Sequence, residues 1–231
     1  MGKMYQWHPE MIRFMNDSAH YTRAYEKMAE AIAPYLLAGG TVCDAGCGLG
    51  HLGLALSHKG FAVTAVDISD RATAGLKNTK YFTVENRDIF SALPEKSYDS
   101  MVFCMFGSGD EILEIAQKQC RGTVVVLRRH RRESRFSLES HKAGCHSFLN
   151  LAEELDSRGI QYDQFSLSLE MGQPLKSDED AVKFFQTYSR DDHPESITFS
   201  KISHRLQPES SGKFKWYLPV ENQFGVLIFH I

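Results

Sequence analysis

The spacing of hydrophobic residues along the chain changes at the pair Gly39 and Gly40. Before this pair, apolar residues recur at helical spacing between Ile12 and Leu37, and polar residues at 16–18 interrupt them where a second helix can be capped. After the pair, short apolar strands alternate with helical segments as far as Leu127. Such alternation predicts βαβ crossovers, and therefore a parallel sheet with helices on both faces. We expect two N-terminal helices followed by a doubly wound α/β sheet.

The alternating pattern supplies the elements of this sheet in order. Strands are expected at 41–45, 61–67, 82–85, 100–105 and 123–127, and helices between them at 49–59, 71–79 and 110–120. Beyond these the pattern is less regular, and predicts helices at 147–158, 181–188 and 194–206 and strands at 160–170, 215–218 and 224–231. The sequence contains no internal repeat, low-complexity tract or linker, so a single domain is the simplest arrangement.

Composition and charge narrow the classes of protein to which the chain can belong. With 42% hydrophobic and 24% charged residues, it has the composition of an ordinary globular protein. Its formal net charge of -3 gives no overall attraction to nucleic acid or anionic lipid. Its five cysteines lack the spacing of a disulfide framework, which predicts reduced thiols and a cytoplasmic location. No secretory signal is recognisable and no apolar run approaches the ~20 residues of a membrane helix, so no membrane partner is expected.

The first predicted strand leads into a glycine-rich turn, Val42–Gly50, that opens a helix. Alternate glycines let the backbone turn sharply and let a ligand approach the main-chain amides. The next strand ends in Asp67, whose carboxylate can accept hydrogen bonds from both hydroxyls of a ribose. His51 replaces a glycine that dinucleotide-binding turns require, and the Gly-Lys-Ser/Thr of a phosphate-binding loop is absent. The pattern therefore favours a nucleoside that carries an amino-acid tail rather than phosphates.

A tight connection that binds no ligand is the alternative interpretation of this turn. It is the less favoured one because Asp44, Asp67 and Asp88 recur at three successive strand ends, on the sheet edge where open α/β sheets bind ligands. For Asp88 taken alone, a role as the cap of a helix start also stays open.

The turn resembles the first motif of the class I S-adenosylmethionine-dependent methyltransferases, an acidic residue followed by Gly-x-Gly-x-Gly. The resemblance covers about residues 41–127 well and the flanks in outline. It implies a Rossmann-like, mainly parallel sheet of seven strands, with the last strand antiparallel and an insertion before it. One methyltransferase domain would then comprise an N-terminal helical cap (1–40), a cofactor-binding core (41–130), and substrate-side elements with the final strands (131–231). The implied cofactor is S-adenosyl-L-methionine and the product S-adenosyl-L-homocysteine.

The resemblance also implies roles for particular residues. Asp44 lies near the amino group of the methionine moiety, Asp67 takes the ribose hydroxyls and Asp88 receives the adenine amino group. Tyr21, or Tyr25 as the second choice, closes over the cofactor, while packing within a helix is the alternative for Tyr21. The complete predicted cofactor site is Tyr21, Asp44, Ala45, Gly46, Cys47, Gly48, Gly50, Asp67, Ile68, Asp88, Ile89 and Cys104.

A run of arginines follows the fifth predicted strand, at the same edge of the sheet. Arginine forks bind carboxylate and phosphate in bidentate geometry, so an anionic substrate is one interpretation of the run. A solvated basic loop and phosphate contacts with RNA are the alternatives. The predicted substrate-binding residues are Phe106, Arg128, Arg129 and Arg132.

Three histidines are candidates for a general base: His130, His141 and His146. For each of them an ordinary surface histidine is the alternative. His141, Cys145 and His146 lack the spacing of a zinc site, so no metal is expected.

The segment after the fourth predicted strand narrows the range of possible methyl acceptors. Residues 104–108 lack the Asp/Asn/Ser-Pro-Pro-aromatic sequence of base-amino methyltransferases, and no cysteine follows a proline as in cytosine-C5 enzymes. These departures argue against methylation of DNA bases, and the reaction we expect is methyl transfer to a small molecule. An RNA methyltransferase and a non-catalytic S-adenosylmethionine-binding protein are the alternatives, with nucleic acid the less favoured partner. Acceptor and oligomeric state stay open.

Overall fold

The computed structural model describes residues 6–91, 95–130, 136–138 and 148–231. The chain divides into two compact units. We call the unit formed by residues 25–130, 145–167 and 223–231 the sheet unit, and the unit formed by residues 1–24, 131–144 and 168–222 the mixed unit. Among the described residues, no helix combines the length and the hydropathy that a membrane-spanning segment needs. The arrangement as one domain with three parts stays a prediction.

The described residues form strands and helices with the following bounds. The strands are β1 (Thr41–Ala45), β2 (Ala62–Asp67), β3 (Phe82–Asn86), β4 (Tyr98–Cys104), β5 (Cys120–Arg129), β6 (Tyr162–Glu170), β7 (Gln173–Leu175), β8 (Gln207–Pro208), β9 (Trp216–Leu218) and β10 (Glu221–His230). The α-helices are α1 (Pro9–Thr22), α2 (Ala24–Ile32), α3 (His51–His58), α4 (Asp70–Thr73), α5 (Gly109–Gln119), α6 (Phe148–Ser157), α7 (Asp178–Tyr188) and α8 (Phe199–Ile202). Short 3-10 helices span Ala33–Tyr35, Pro194–Ser196 and Ser203–Arg205.

The large sheet has the strand order β3-β2-β1-β4-β5-β10-β6. Strands β1 to β5 are parallel where they pair, and β10 is antiparallel to β5, with Phe224 opposite Arg129 and His230 opposite Thr123. This confirms the doubly wound α/β fold, including the antiparallel last strand. Because β1, β2, β4 and β5 are parallel, their carboxyl ends meet at one edge, where such sheets bind ligands.

The core of the sheet unit explains why its central strands are continuous apolar runs. Residues Val124–Leu127 of β5 and Met101–Phe103 of β4 are almost fully buried. A parallel sheet covered by helices on both faces requires apolar side chains on both faces of each strand.

The mixed unit has its own hydrophobic core and a three-stranded sheet in the order β7-β9-β8. Rings of Phe14, Phe136, Phe184 and Tyr188 pack edge to face or tilted, with centroid distances of 4.9 to 6.3 Å. These interactions show that the aromatic residues of α7 form a local hydrophobic core.

Three predicted boundaries are wrong. Helix α1 continues through 16–18, because Asp17 pairs with Arg13 at 3.5 Å and the Ser18 hydroxyl donates to the Gly172 carbonyl. The break comes at Arg23, whose φ of 53° ends the helix in the left-handed region. The helix expected at 71–79 is only α4, and the one expected at 194–206 is α8 flanked by two 3-10 turns.

Candidate functional site

The glycine turn after β1 has a backbone that side chains disfavour. Gly46, Gly48 and Gly50 have φ values of 67°, 54° and 70°, in the left-handed region. The Cys47 amide donates to the Val66 carbonyl at 3.0 Å and the Gly50 amide to the Cys47 carbonyl at 2.9 Å. The turn is therefore held against the end of β2 and delivers the chain into α3.

The carboxylate of Asp67 closes this turn from the end of β2. One oxygen accepts from the Gly48 amide at 2.8 Å, and the other accepts from the Ser69 amide at 2.9 Å. A carboxylate has about four lone-pair sites, so two remain for further donors. Asp67 thus combines a structural role with free acceptor capacity of the kind that ribose hydroxyls use.

Asp44 is buried at the end of β1, with 2% of its surface exposed. The pKa of its carboxyl is raised to about 7 by burial and, to a smaller extent, by the charge of Asp67, against the opposing hydrogen bond from the Gly53 amide 3.0 Å away. A Cβ on Gly53 would lie 2.9 Å from this carboxyl, so the glycine allows α3 to approach β1 closely. A buried carboxyl with a raised pKa is stabilised as the carboxylate by a cationic ligand such as an ammonium group.

The residues predicted to bind the adenine of the cofactor lie after β2 and β3. Ile68 is 51% exposed, whereas Ile89 is 4% exposed and belongs to the hydrophobic core of the sheet unit. The Asp88 carboxylate accepts from the Phe90 amide at 3.0 Å, a local turn that leaves its other oxygen available. Phe90, which the sequence analysis did not select, is 42% exposed and offers apolar surface next to Asp88, whereas the side chain of the predicted Ile89 does not.

The two candidate tyrosines are in different units. The Tyr21 hydroxyl donates to Glu209 at 3.2 Å, and its ring lies 4.9 Å from that of Tyr217, all within the mixed unit. Tyr25 belongs to the sheet unit, where its ring lies 5.2 Å from that of His51. Burial of the Tyr25 hydroxyl raises its pKa, the charges of Cys104 and Asp44 add to this, and Arg129 opposes it. Tyr25 is therefore the tyrosine that interacts with the predicted cofactor residues of β1 and β4.

The segment after β4 contains a second left-handed turn. Met105 and Gly107 have φ values of 56° and 76°, and between them the ring of Phe106 lies against Gly46. A Cβ on Gly46 would be 2.2 Å from that ring. The pKa of the Cys104 thiol is raised to about 12 by burial and by the charge of Asp44, with Arg129 opposing the shift. Cys104 is therefore protonated at neutral pH and is a poor nucleophile.

The basic residues at the end of β5 differ in burial. Arg128 is 5% exposed and donates to the Gly107 carbonyl, while Arg129 is half-buried and acts electrostatically on Tyr25 and Cys104. His130 lies with Nε2 3.1 Å from the Ser166 hydroxyl and with its ring 4.8 Å from that of Phe148. Arg132, His141 and His146 are outside the described residues.

Comparisons with known proteins agree with this geometry. The model of the family described as "Methyltransferase domain" matches residues 18–201. A SAM-dependent methyltransferase from Aquifex aeolicus superposes with a TM-score of 0.52 at 15% identity, over 98% of this chain and 100% of that chain. No curated protein matches the chain in sequence.

Two further solved structures have the same fold. Coclaurine N-methyltransferase, solved with N-methylheliamine and SAH, has a TM-score of 0.52 at 13% identity, over 90% of this chain and 72% of that chain. A methyltransferase candidate from an antibiotic biosynthesis pathway of Anabaena variabilis has a TM-score of 0.54 at 14% identity, over 87% of this chain and 96% of that chain. The family match spans most of the chain and includes the glycine turn, Asp67 and Asp88. The chain therefore belongs to the methyltransferase domain family, as a class I S-adenosylmethionine-dependent methyltransferase.

Proposed function

We propose that the protein methylates a small-molecule acceptor that carries an anionic group, and that Arg129 binds this group. The observation that carries the proposal is the position of Arg129. Arg129 is a half-buried residue that ends β5 at the sheet edge that also holds Asp44, and its charge opposes the rise in the pKa of Tyr25 and Cys104. A partly desolvated guanidinium at such an edge binds carboxylate or phosphate through bidentate hydrogen bonds.

The donor set of the sheet edge fits S-adenosylmethionine, the cofactor of this family. The buried Asp44 suits its ammonium group, and the remaining acceptor sites of Asp67 suit the ribose hydroxyls. The exposed side chains of Ile68 and Phe90 offer apolar surface to the adenine. When bound, the cofactor supplies a methyl group activated by a positively charged sulfur.

The residues of this chain contribute orientation rather than strong acid–base chemistry. Tyr25 and Cys104 have raised pKa values and keep their protons at neutral pH, so neither accepts a proton from the acceptor. Holding two reactants in line at contact distance removes much of the barrier to a displacement reaction. We assign this orientation to Arg129 and to Phe106, whose ring lies against Gly46 beside the glycine turn. An acceptor atom that arrives with a free lone pair suits such a site.

Two measurements test the proposal. Calorimetry should detect binding of S-adenosylmethionine and S-adenosylhomocysteine but not of NADH. Transfer of labelled methyl should then be screened over carboxylated and phosphorylated small molecules, each paired with its neutral amide or alcohol, and over RNA. We expect label on the anionic member of a pair. The KM for that acceptor should be at least tenfold higher in Arg129→Ala, because a hydrogen bond to a charged group contributes about 1.5 to 3 kcal/mol.

A matched control variant lies on the same strand. Arg121 is at the opposite end of β5, where it pairs with Asp99 at 2.7 Å. Arg121→Ala removes the same charge from the protein and should leave the acceptor KM unchanged. Equal labelling of the charged and neutral acceptors, or labelling of RNA alone, would contradict the proposal. Absence of cofactor binding would contradict it at an earlier step.

A further inference from the structure

The neighbouring arginines at the end of β5 have different environments. Arg129 is half-buried at the sheet edge, whereas Arg128 is buried and donates to the Gly107 carbonyl. A buried guanidinium is costly unless hydrogen bonds compensate for its lost hydration. Arg128 is therefore part of the packing around the turn after β4, and its charge is not exposed to a ligand.

That turn is held from several directions. The Met105 amide donates to the Leu127 carbonyl at 2.9 Å, which ties the start of the turn to β5. After the turn, Ser108 caps α5 in a reciprocal arrangement with Glu111, the Ser108 amide lying 2.8 Å from the Glu111 carboxylate. Arg128 binds the carbonyl of Gly107, midway between these two anchors.

The backbone of the turn needs this support. Met105 has a φ of 56°, a left-handed conformation that costs an L-residue about 1 to 2 kcal/mol. Gly107 also has a positive φ, and a Cβ on it would be 3.0 Å from Ile112. Strained backbone of this kind persists where surrounding contacts over-determine it, and it is enriched at functional sites.

The side chain that the turn presents is Phe106. Its ring fills the space that a Cβ on Gly46 would need. Gly46 is the first glycine of the turn that, in this family, lines the methionine moiety of the cofactor. A displacement of this ring by an ångström changes the space beside Gly46, where the methionine moiety of the cofactor would bind. Errors of that size in placing reactants cost about 100-fold in rate.

We propose that Arg128 is a positioning residue for methyl transfer, which holds the Gly107 carbonyl so that the Phe106 ring stays against Gly46. The inference rests on the proposed function for its catalytic consequence, but the position of the ring can be tested without an acceptor. It assigns to Arg128 a role different from that of Arg129, which binds the substrate.

The first test observes the ring directly. Fluorine NMR of protein carrying 4-fluorophenylalanine at position 106 should give one resonance that shifts when S-adenosylhomocysteine is added. In Arg128→Met, which keeps the length of the side chain but has no donor, we expect this resonance to move or broaden. Arg121→Met is the control and should leave it unchanged. An unaltered resonance in folded Arg128→Met, or no shift with a ligand that calorimetry shows to bind, overturns the inference.

The second test uses the acceptor found in the labelling screen. Arg128→Met should lower kcat by about 100-fold while the acceptor KM and the cofactor Kd change by less than about threefold. Arg128→Lys, which can still donate to the Gly107 carbonyl, should recover part of kcat. Adding Phe106→Leu to Arg128→Met should lower kcat little further, because the effects of substitutions that act through one contact are not additive.

The outcomes of these tests separate the two proposals. A higher acceptor KM with an unchanged kcat in Arg128→Met would make Arg128 a substrate-binding residue and overturn the inference. Additive effects of the two substitutions would do the same. Failure of the wild-type protein to bind the cofactor would instead count against the proposed function, and the fluorine resonance of Arg128→Met without ligand would still decide whether Arg128 holds the ring.

Discussion

The two halves of the site are built in different ways. In the cofactor half, the contacts join β1, β2 and the turns that follow them: Asp67 binds the amides of Ser69 and Gly48, and Asp44 binds the amide of Gly53. In the acceptor half, Phe106 lies against Gly46 and Arg128 binds Gly107, so the contacts join the ends of β1, β4 and β5. One β-α-β motif, residues 41–69, can specify the first half, whereas the second exists only when β1, β4 and β5 are in register.

The contact between the two halves predicts the largest effect, which is a loss of folding stability when Gly46 is substituted. Gly46→Ala combines a left-handed backbone with a Cβ that would be 2.2 Å from the Phe106 ring. Strain of about 1 to 2 kcal/mol and overpacking of about 1 to 3 kcal/mol should lower the free energy of unfolding by about 2 to 5 kcal/mol, measured by urea denaturation.

Two further variants separate the contributions to this loss. Gly60→Ala has a φ of 92° with nothing within 4 Å of the added Cβ, so it should show the backbone strain alone. Phe106→Ala should make Gly46→Ala less costly, because the ring that the Cβ meets is gone. If Gly46→Ala costs no more than Gly60→Ala, the ring does not pack against the glycine turn as described.

The cofactor half should respond next to substitution of Asp67. Asp67→Ala removes the carboxylate that binds the Gly48 and Ser69 amides and would accept the ribose hydroxyls. We expect cofactor affinity to fall by about 1 to 3 kcal/mol, roughly 5-fold to 150-fold in Kd by calorimetry. Asp88→Ala should have the smaller effect, since one adenine contact is lost. An unchanged Kd in folded Asp67→Ala would contradict the ribose assignment.

The smallest effect is expected from pH, through Asp44. With a pKa of about 7, its carboxyl is protonated in much of the cofactor-free protein below neutrality, and the ammonium of the cofactor favours the carboxylate. S-adenosylmethionine affinity should therefore weaken by about tenfold per pH unit well below pH 7, and level off above it. Asp44→Asn should bind more weakly and without this pH dependence between 6 and 8.

Folding stability should change with pH in the direction opposite to that of cofactor affinity. Because burial raises the folded-state pKa of Asp44 above its ordinary value, its contribution to stability is fully present at low pH and is lost as pH rises through about 7. Asp44→Asn should thus stabilise the cofactor-free protein more at pH 8 than at pH 5, as thermal unfolding can measure. An equal effect at both pH values would show that the carboxyl is not titrating in this range.

Much of the cofactor half was predictable from the sequence. Gly46, Gly48 and Gly50 do adopt the left-handed backbone that glycine allows, and Asp44 and Asp67 do stand at strand ends beside them. The pattern did not resolve single positions, because neighbours in sequence can point to opposite sides. Ile89 is buried where Phe90 is exposed, and Arg128 is buried where Arg129 is half-buried.

The same limit applies to the helices near the N-terminus. The polar residues at 16–18 resemble a helix break, yet α1 continues because Gly172 and Arg13 satisfy them, the first from a segment far along the chain. The choice between Tyr21 and Tyr25 depended on partners of this kind as well. Secondary-structure propensity and hydrophobic pattern describe a residue and its near neighbours. They cannot reveal a partner that another segment of the chain contributes.

The sequence by itself therefore determined the fold class, the family and the carboxylates of the cofactor half. These follow from local rules: hydrophobic periodicity, the backbone freedom of glycine and the position of acids at strand ends. Only the tertiary structure decided which tyrosine interacts with Asp44, that Phe106 lies against Gly46, and that Arg128 supports a turn beside the half-buried Arg129. The physical reason is that burial and long-range contacts arise only when the strands pair and the helices pack on them.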